Sequence, residues 1–122
     1  MGRSAVLVVD DDDDFRALVR LHLVASGFEV VEADSGEGAL ELVDASPPAL
    51  VLSDLRMGGM DGAEGRSRLS RSHPDLPVCV WSALPTTEPS VMRKGLKALE
   101  TVIADHRSRL LDESTAKRAD PA

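Results

Sequence analysis

At 122 residues, 43% apolar and 29% charged, the chain fits one globular domain with room for a real core. A net charge of −7 argues against nucleic acid or an anionic membrane as a direct partner. No apolar run is long enough to span a bilayer or serve as a signal peptide, and one cysteine, Cys79, excludes a disulfide framework and fits a reducing cytoplasm.

Taken in chain order, Ala5-Val6-Leu7-Val8-Val9 is a β-branched run that reads as a buried strand stopping at Asp10. Five acids follow without a break, Asp10 to Asp14, of which Asp12 to Asp14 suit the positive end of a helix dipole. Phe15, Leu18, Val19, His22 and Leu23 recur at helical spacing until Gly27. Phe28 to Glu32 reads as a strand near an edge. Asp34 with Glu37 resembles a capping box for a helix through Val43, stopped by Pro47-Pro48. Ala49 to Leu52 is a short apolar run, suited to a strand buried on both faces, which ends at Asp54 and breaks into Gly58, Gly59 and Gly62. Ala63 to Ser72 is a weaker, arginine-rich helix. Pro77 introduces Val78-Cys79-Val80-Trp81, a fourth strand ending at Ser82. Thr86 to Lys94 is expected as a short helix closed by Gly95, Ala98 to Ile103 as a ragged fifth strand, and Asp105 to Glu113 as the last helix. The domain is thus expected over 1–113, with 114–122 as a frayed tail.

Strands alternate with helices through short links, so the expected fold is α/β: a single doubly wound, five-stranded parallel sheet with helices on both faces. All strands of such a sheet end on one edge, which collects Asp10, Asp11, Asp54 and Ser82. With strand one between strands two and three, the three acids converge. Clustered carboxylates raise one another's pKa unless a cation intervenes, and hard oxygen ligands suit Mg²⁺ better than zinc. Carboxylates, a divalent cation and a hydroxyl together form a pocket for a phosphoryl group.

The segments VLVVDDDDDFRALV, VLSDLRMGGMDG and VCVWSA resemble the three signatures of the response-regulator receiver domain, in order and spacing, over about residues 4 to 112. The resemblance implies a flavodoxin-like strand order, 2-1-3-4-5. It implies Asp54 as phosphoacceptor, taking a phosphoryl group from a phosphohistidine of a sensor kinase or phosphotransfer protein. Asp11, Asp54 and the main-chain carbonyl of Arg56 would hold Mg²⁺, with Asp10 acting through water. Ser82 would be the switch hydroxyl, and small Ala83 would leave the phosphoryl group accessible. A downstream protein would read the face built from the family's fourth helix, fifth strand and fifth helix. The domain would be a signalling element and not an enzyme, limited to self-phosphorylation and slow loss of the phosphoryl group at Asp54. Leu84, two residues after Ser82, cannot orient an attacking water, so that loss is expected to take minutes or longer.

Several positions depart from the pattern. Gly58 stands where the family usually has proline. The best alignment of the fifth strand puts Leu99 at an aromatic switch position and Val102 at a lysine, with Lys94 and Lys97 before the strand, at the wrong edge to substitute. The segment from Ser82 to Gly95 is about two residues short. The missing lysine supports a second reading, a degenerate receiver that binds proteins independently of phosphate. A third reading is a small phosphatase resembling haloacid dehalogenases, with Asp10 as nucleophile and Asp12 as acid; the absent catalytic lysine, late acidic pair and cap domain count against it. Cys79 reads as an inert core thiol.

Overall fold

The computed structural model describes residues 5–55, 62–85, 87 and 91–119. Its elements run β1 (Ala5–Val9), α1 (Asp13–Ala25), β2 (Glu29–Ala33), α2 (Gly36–Ala45), β3 (Leu50–Asp54), α3 (Gly62–Ser72), β4 (Val78–Ser82), β5 (Val91–Arg93) and α4 (Leu96–Ala119). The five strands form one sheet, all pairs parallel, in the order β2-β1-β3-β4-β5.

Period-two alternation along the central strands builds two cores. Val6 and Val8 of β1, Leu50 and Leu52 of β3 and Trp81 of β4 face one side. There they pack on Val19 and Leu23 of α1 and on Leu99, Val102 and Ile103 of α4. Leu7, Val9 and Val51 face the other side and meet Ala39 and Val43 of α2 and Leu69 of α3. Each strand between two such layers must be apolar on both faces, which is why β1 is buried throughout and reads as a continuous hydrophobic run. At the edge, β2 is only partly covered, as its charged flanks anticipate.

Local signals fix the element ends. Asp12 caps α1, its carboxylate accepting from the Asp14 and Phe15 N–H groups, so the acid run does start a helix. Gly27, at φ 95°, turns the chain out of α1 in the left-handed region. In α2 the cap is Ser35, which accepts from Gly38 N–H at 3.0 Å, and not the expected Asp34.

The C-terminal third differs from the expectation. Ala98 to Ile103 is not a strand but the first turns of α4. Leu99, Val102 and Ile103 lie at i, i+3 and i+4 and are buried on one helix face, a period that overrides the β-branched content of Thr-Val-Ile. The fifth strand is instead Val91–Arg93, inside the segment expected as a helix. Only residues 83–90 connect β4 to β5, fewer than the dozen or so that a helical crossover needs. The described residues of that connection carry no helix. The last helix starts at Leu96 and extends through Ala119, so the stretch from Ser114 is helical that far. No glycine or proline interrupts it until Pro121.

Candidate functional site

Parallel pairing brings the carboxyl ends of β1, β3, β4 and β5 to one edge, and each delivers a polar residue there. Asp10 follows β1, Asp54 ends β3, Ser82 ends β4 and Lys94 follows β5. One carboxylate oxygen from each of Asp10, Asp11 and Asp54 lies within 4.8 Å of the others, the convergence expected from the sequence. Asp10 and Asp54 are buried, whereas Asp11 is exposed.

Asp10 is held rigidly by its surroundings. Its N–H donates to the Ala33 carbonyl at 3.1 Å and its carbonyl accepts from Arg16 Nη1. Arg16 is itself pinned by Asp13 and Glu32, bridging α1 and β2. The Asp10 Oδ1 atom accepts from Asp12 N–H at 2.8 Å. Its Oδ2 atom forms an ion pair with Lys94 Nζ at 2.7 Å. Lys94 Nζ also donates to Asp54 Oδ2 at 3.0 Å. The lysine side chain is 9% exposed and its ammonium lies 4.4 Å from the centroid of the Phe15 ring. Phe15 in turn meets Trp81 edge-on, centroids 5.5 Å apart. Trp81 is fully buried, and its Nε1 has no partner among the described residues.

The electrostatics follow burial. Desolvation pushes the Asp10 carboxyl above its ordinary value, against the pull of Lys94 and of the Asp12 N–H. Burial alone would lower Lys94, but its contacts with Asp10 and Asp54 more than offset this and raise it. Both values rise, but for opposite reasons: burial outweighs the ion pair at Asp10, and the two carboxylates outweigh burial at Lys94. Three carboxylate oxygens at this spacing, from two buried acids and one exposed one, match the hard-oxygen donor set of Mg²⁺.

Ser82 Oγ accepts from Leu84 N–H at 3.2 Å, which leaves the hydroxyl proton available for an incoming oxygen. Ser82 borders an open cavity of about 230 Å³, walled also by Leu84, Pro85, Val91 and Arg93, and Ala83 is exposed beside it. Arg56 and Gly58 lie outside the described residues.

Residues 6–104 match the family described as the response regulator receiver domain. The chain belongs to that family. Among curated relatives of this receiver, the DNA-binding transcriptional regulator NtrC of Escherichia coli (strain K12) is 36% identical over 83 residues, 68% of this chain and 18% of that protein. The response regulator protein FleR of Pseudomonas aeruginosa is 33% identical over 95% of this chain and 24% of its own length. The receiver thus spans about a fifth to a quarter of these relatives. Among solved structures, the N-terminal domain of a response regulator receiver protein from Methanoculleus marisnigri JR1 is 30% identical, with a TM-score of 0.69 over 84% of this chain and 94% of that one.

One sequence expectation is overturned at the site. A lysine does stand at the end of the fifth strand: Lys94 follows β5 and reaches Asp54, whereas Val102 is buried on α4. Counting back the same three residues that separated Leu99 from Val102, the aromatic switch position falls on Val91, half-buried in β5. The face expected for an output partner lacks its fourth helix among the described residues. Asp12, the acid of the phosphatase reading, is occupied as a helix cap. What the sequence reading missed was β5 and hence Lys94. The helical spacing of Leu96, Leu99 and Ile103 was the signal that could have pushed the strand back to Val91.

Proposed function

We propose that this receiver is a phosphoacceptor switch of a two-component relay, with Asp54 as the phosphorylated residue. The observation that carries the reading is Lys94, whose ammonium lies between Asp10 and Asp54 at the end of β5. In the proposed transfer, a carboxylate oxygen of Asp54 attacks phosphorus while the bond to the nitrogen of a phosphohistidine protonated on its other ring nitrogen breaks, the electron pair staying on nitrogen so that neutral imidazole leaves. Lys94 then follows the new charge onto a phosphoryl oxygen, a charge-assisted contact stronger than a neutral hydrogen bond. The hydroxyl of Ser82 donates to another, and exposed Ala83 keeps the approach open. Asp10, Asp11 and Asp54, with the carbonyl of Arg56, are the proposed holders of Mg²⁺, which when bound neutralises charge on the transferring group.

The donor is a sensor kinase or phosphotransfer protein, and the output partner reads the edge formed by β5 and α4. No helix among the described residues is long and apolar enough to cross a membrane, and a cytoplasmic location suits the reading. The phosphate-independent alternative loses its main support with the lysine in place.

The test is Mg²⁺-dependent labelling of the protein by a small phosphodonor such as acetyl phosphate, followed by intact mass. One phosphoryl group is expected on the wild type and none on Asp54→Asn, with a lifetime of minutes or longer. Labelling that persists in Asp54→Asn would refute the assignment, and loss within seconds would refute the expected persistence.

A further inference from the structure

The Lys94 ammonium has a neighbour to which the phosphoacceptor reading gives no role. Its third side faces the Phe15 ring, 4.4 Å from the centroid, and that ring rests edge-on against fully buried Trp81 with the planes at 66°. The chain has only two phenylalanines, one tryptophan and no tyrosine, so two of its three aromatic side chains stand at this one ammonium. We propose that Phe15 is a positioning residue, whose π face holds Lys94 over the phosphoacceptor whether or not the carboxylates are engaged elsewhere. The proposal rests on the phosphoacceptor reading of Asp54.

The need for such a support follows from the chain. Lysine is a flexible stem with much rotamer entropy to lose. Here it leaves a three-residue edge strand with its own N–H held by the Ser82 carbonyl at 2.8 Å, so the backbone places the Cα and leaves the long stem to be placed by its contacts. Asp10 and Asp54 anchor the ammonium at 2.7 and 3.0 Å, but those oxygens are also the proposed metal ligands. A divalent cation placed among them competes for the same atoms and repels the ammonium. An aromatic face attracts a cation through its quadrupole, yet offers no lone pair to a metal and no proton to exchange. Of the three contacts, only that with Phe15 is compatible with both situations. The ring rests on Trp81, and the backbone that carries it is held by the Asp12 carboxylate, which accepts from the Phe15 N–H at 3.1 Å.

The test is a double-mutant cycle on beryllofluoride affinity at saturating Mg²⁺, read by ¹⁹F NMR because Trp81 fluorescence would respond to the ring directly. Phe15→Leu keeps apolar bulk and removes the π face; it should weaken binding about threefold to tenfold, the span of a partly desolvated cation–π contact. Phe15→Tyr keeps the face and should retain most of the affinity. In a Lys94→Met background, Phe15→Leu should have no further effect. Equal losses in both backgrounds would mean that Phe15 only packs, and unchanged affinity in Phe15→Leu would likewise overturn the proposal. A second readout is independent of beryllofluoride: the Lys94 Cε protons should be shifted upfield by the ring, with and without Mg²⁺, and lose that shift in Phe15→Leu. Disappearance of the shift when Mg²⁺ is added refutes the positioning role. Failure of the wild type to bind beryllofluoride, or equal binding by Asp54→Asn, refutes the phosphoacceptor reading instead, leaving the proton shifts to decide whether the ring holds the lysine.

Discussion

Replacing Lys94 by methionine keeps the length of the stem and deletes the charge. In the metal-free protein this leaves Asp10, 1% exposed, and Asp54 side by side without their counter-charge. At an effective dielectric of about 20, each contact at 2.7 or 3.0 Å is worth about 6 kcal/mol gross. Desolvation of three charged groups takes back most of that, and breaking a fully buried pair costs about 3–5 kcal/mol. The site opens at the edge of the sheet and Asp10 can take up a proton, so the expected loss is smaller, about 2–3 kcal/mol. Urea unfolding followed by Trp81 emission, in EDTA, should show the midpoint falling at constant slope. Added Mg²⁺ should then stabilise the variant more than the wild type, because no ammonium competes for the oxygens. A site filled to a hundred times its dissociation constant gains about 2.7 kcal/mol, enough to close the gap. A variant as stable as wild type in EDTA, or a gap that Mg²⁺ leaves unchanged, would refute the reasoning.

Three further outcomes follow from single groups. Asp10→Asn should stabilise the metal-free protein by about 1 kcal/mol at neutral pH, since burial penalises the Asp10 charge. The folded pKa of Asp10 lies above its ordinary 3.8, so its share of stability is full below that value and is lost as pH rises through the folded pKa. The gain from Asp10→Asn should therefore vanish in acid, and no gain at neutral pH in EDTA counts against the assignment. Gly27→Ala should cost about 1 kcal/mol in urea unfolding although its Cβ would meet nothing within 4 Å, because φ is 95°; an unmoved midpoint refutes the strain argument. Burial raises the Cys79 thiol, with Asp105 adding to it and Arg66 opposing. Alkylation by iodoacetamide at neutral pH should be much slower than for a free thiol and recover in urea, and labelling at the free rate would contradict this.

How far the sequence could be read depended on strand length and on which period dominates. The strands β1, β3 and β4 each span five residues between apolar layers, and their ends place Asp10, Asp54 and Ser82 without ambiguity. The strand β5 has three residues, one of them arginine, too few to show alternation. Beside it, Ala98 to Ile103 offered enough β-branched character to be mistaken for the missing strand. The error shifted the lysine onto a core valine and made the receiver look degenerate. Tertiary packing decided otherwise: the apolar layer opposite Leu50 and Leu52 needs a helix face, and Leu99, Val102 and Ile103 supply one. Ser35 displaced Asp34 as the α2 cap for a similarly local reason, since its oxygen reaches Gly38 N–H.

The Lys94 N–H donates to the Ser82 carbonyl at 2.8 Å, and eight residues are all that separate Ser82 from Val91. In the proposed mechanism these two residues grip the phosphoryl group with a hydroxyl and an ammonium. They are therefore not two independent fingers but one hinged jaw, joined at the backbone behind the group they hold. A tug on the serine drags the lysine with it through that backbone bond. Whatever displacement the phosphoryl group imposes passes through that bond to the strand edge, and α4 begins at Leu96, two residues after the lysine.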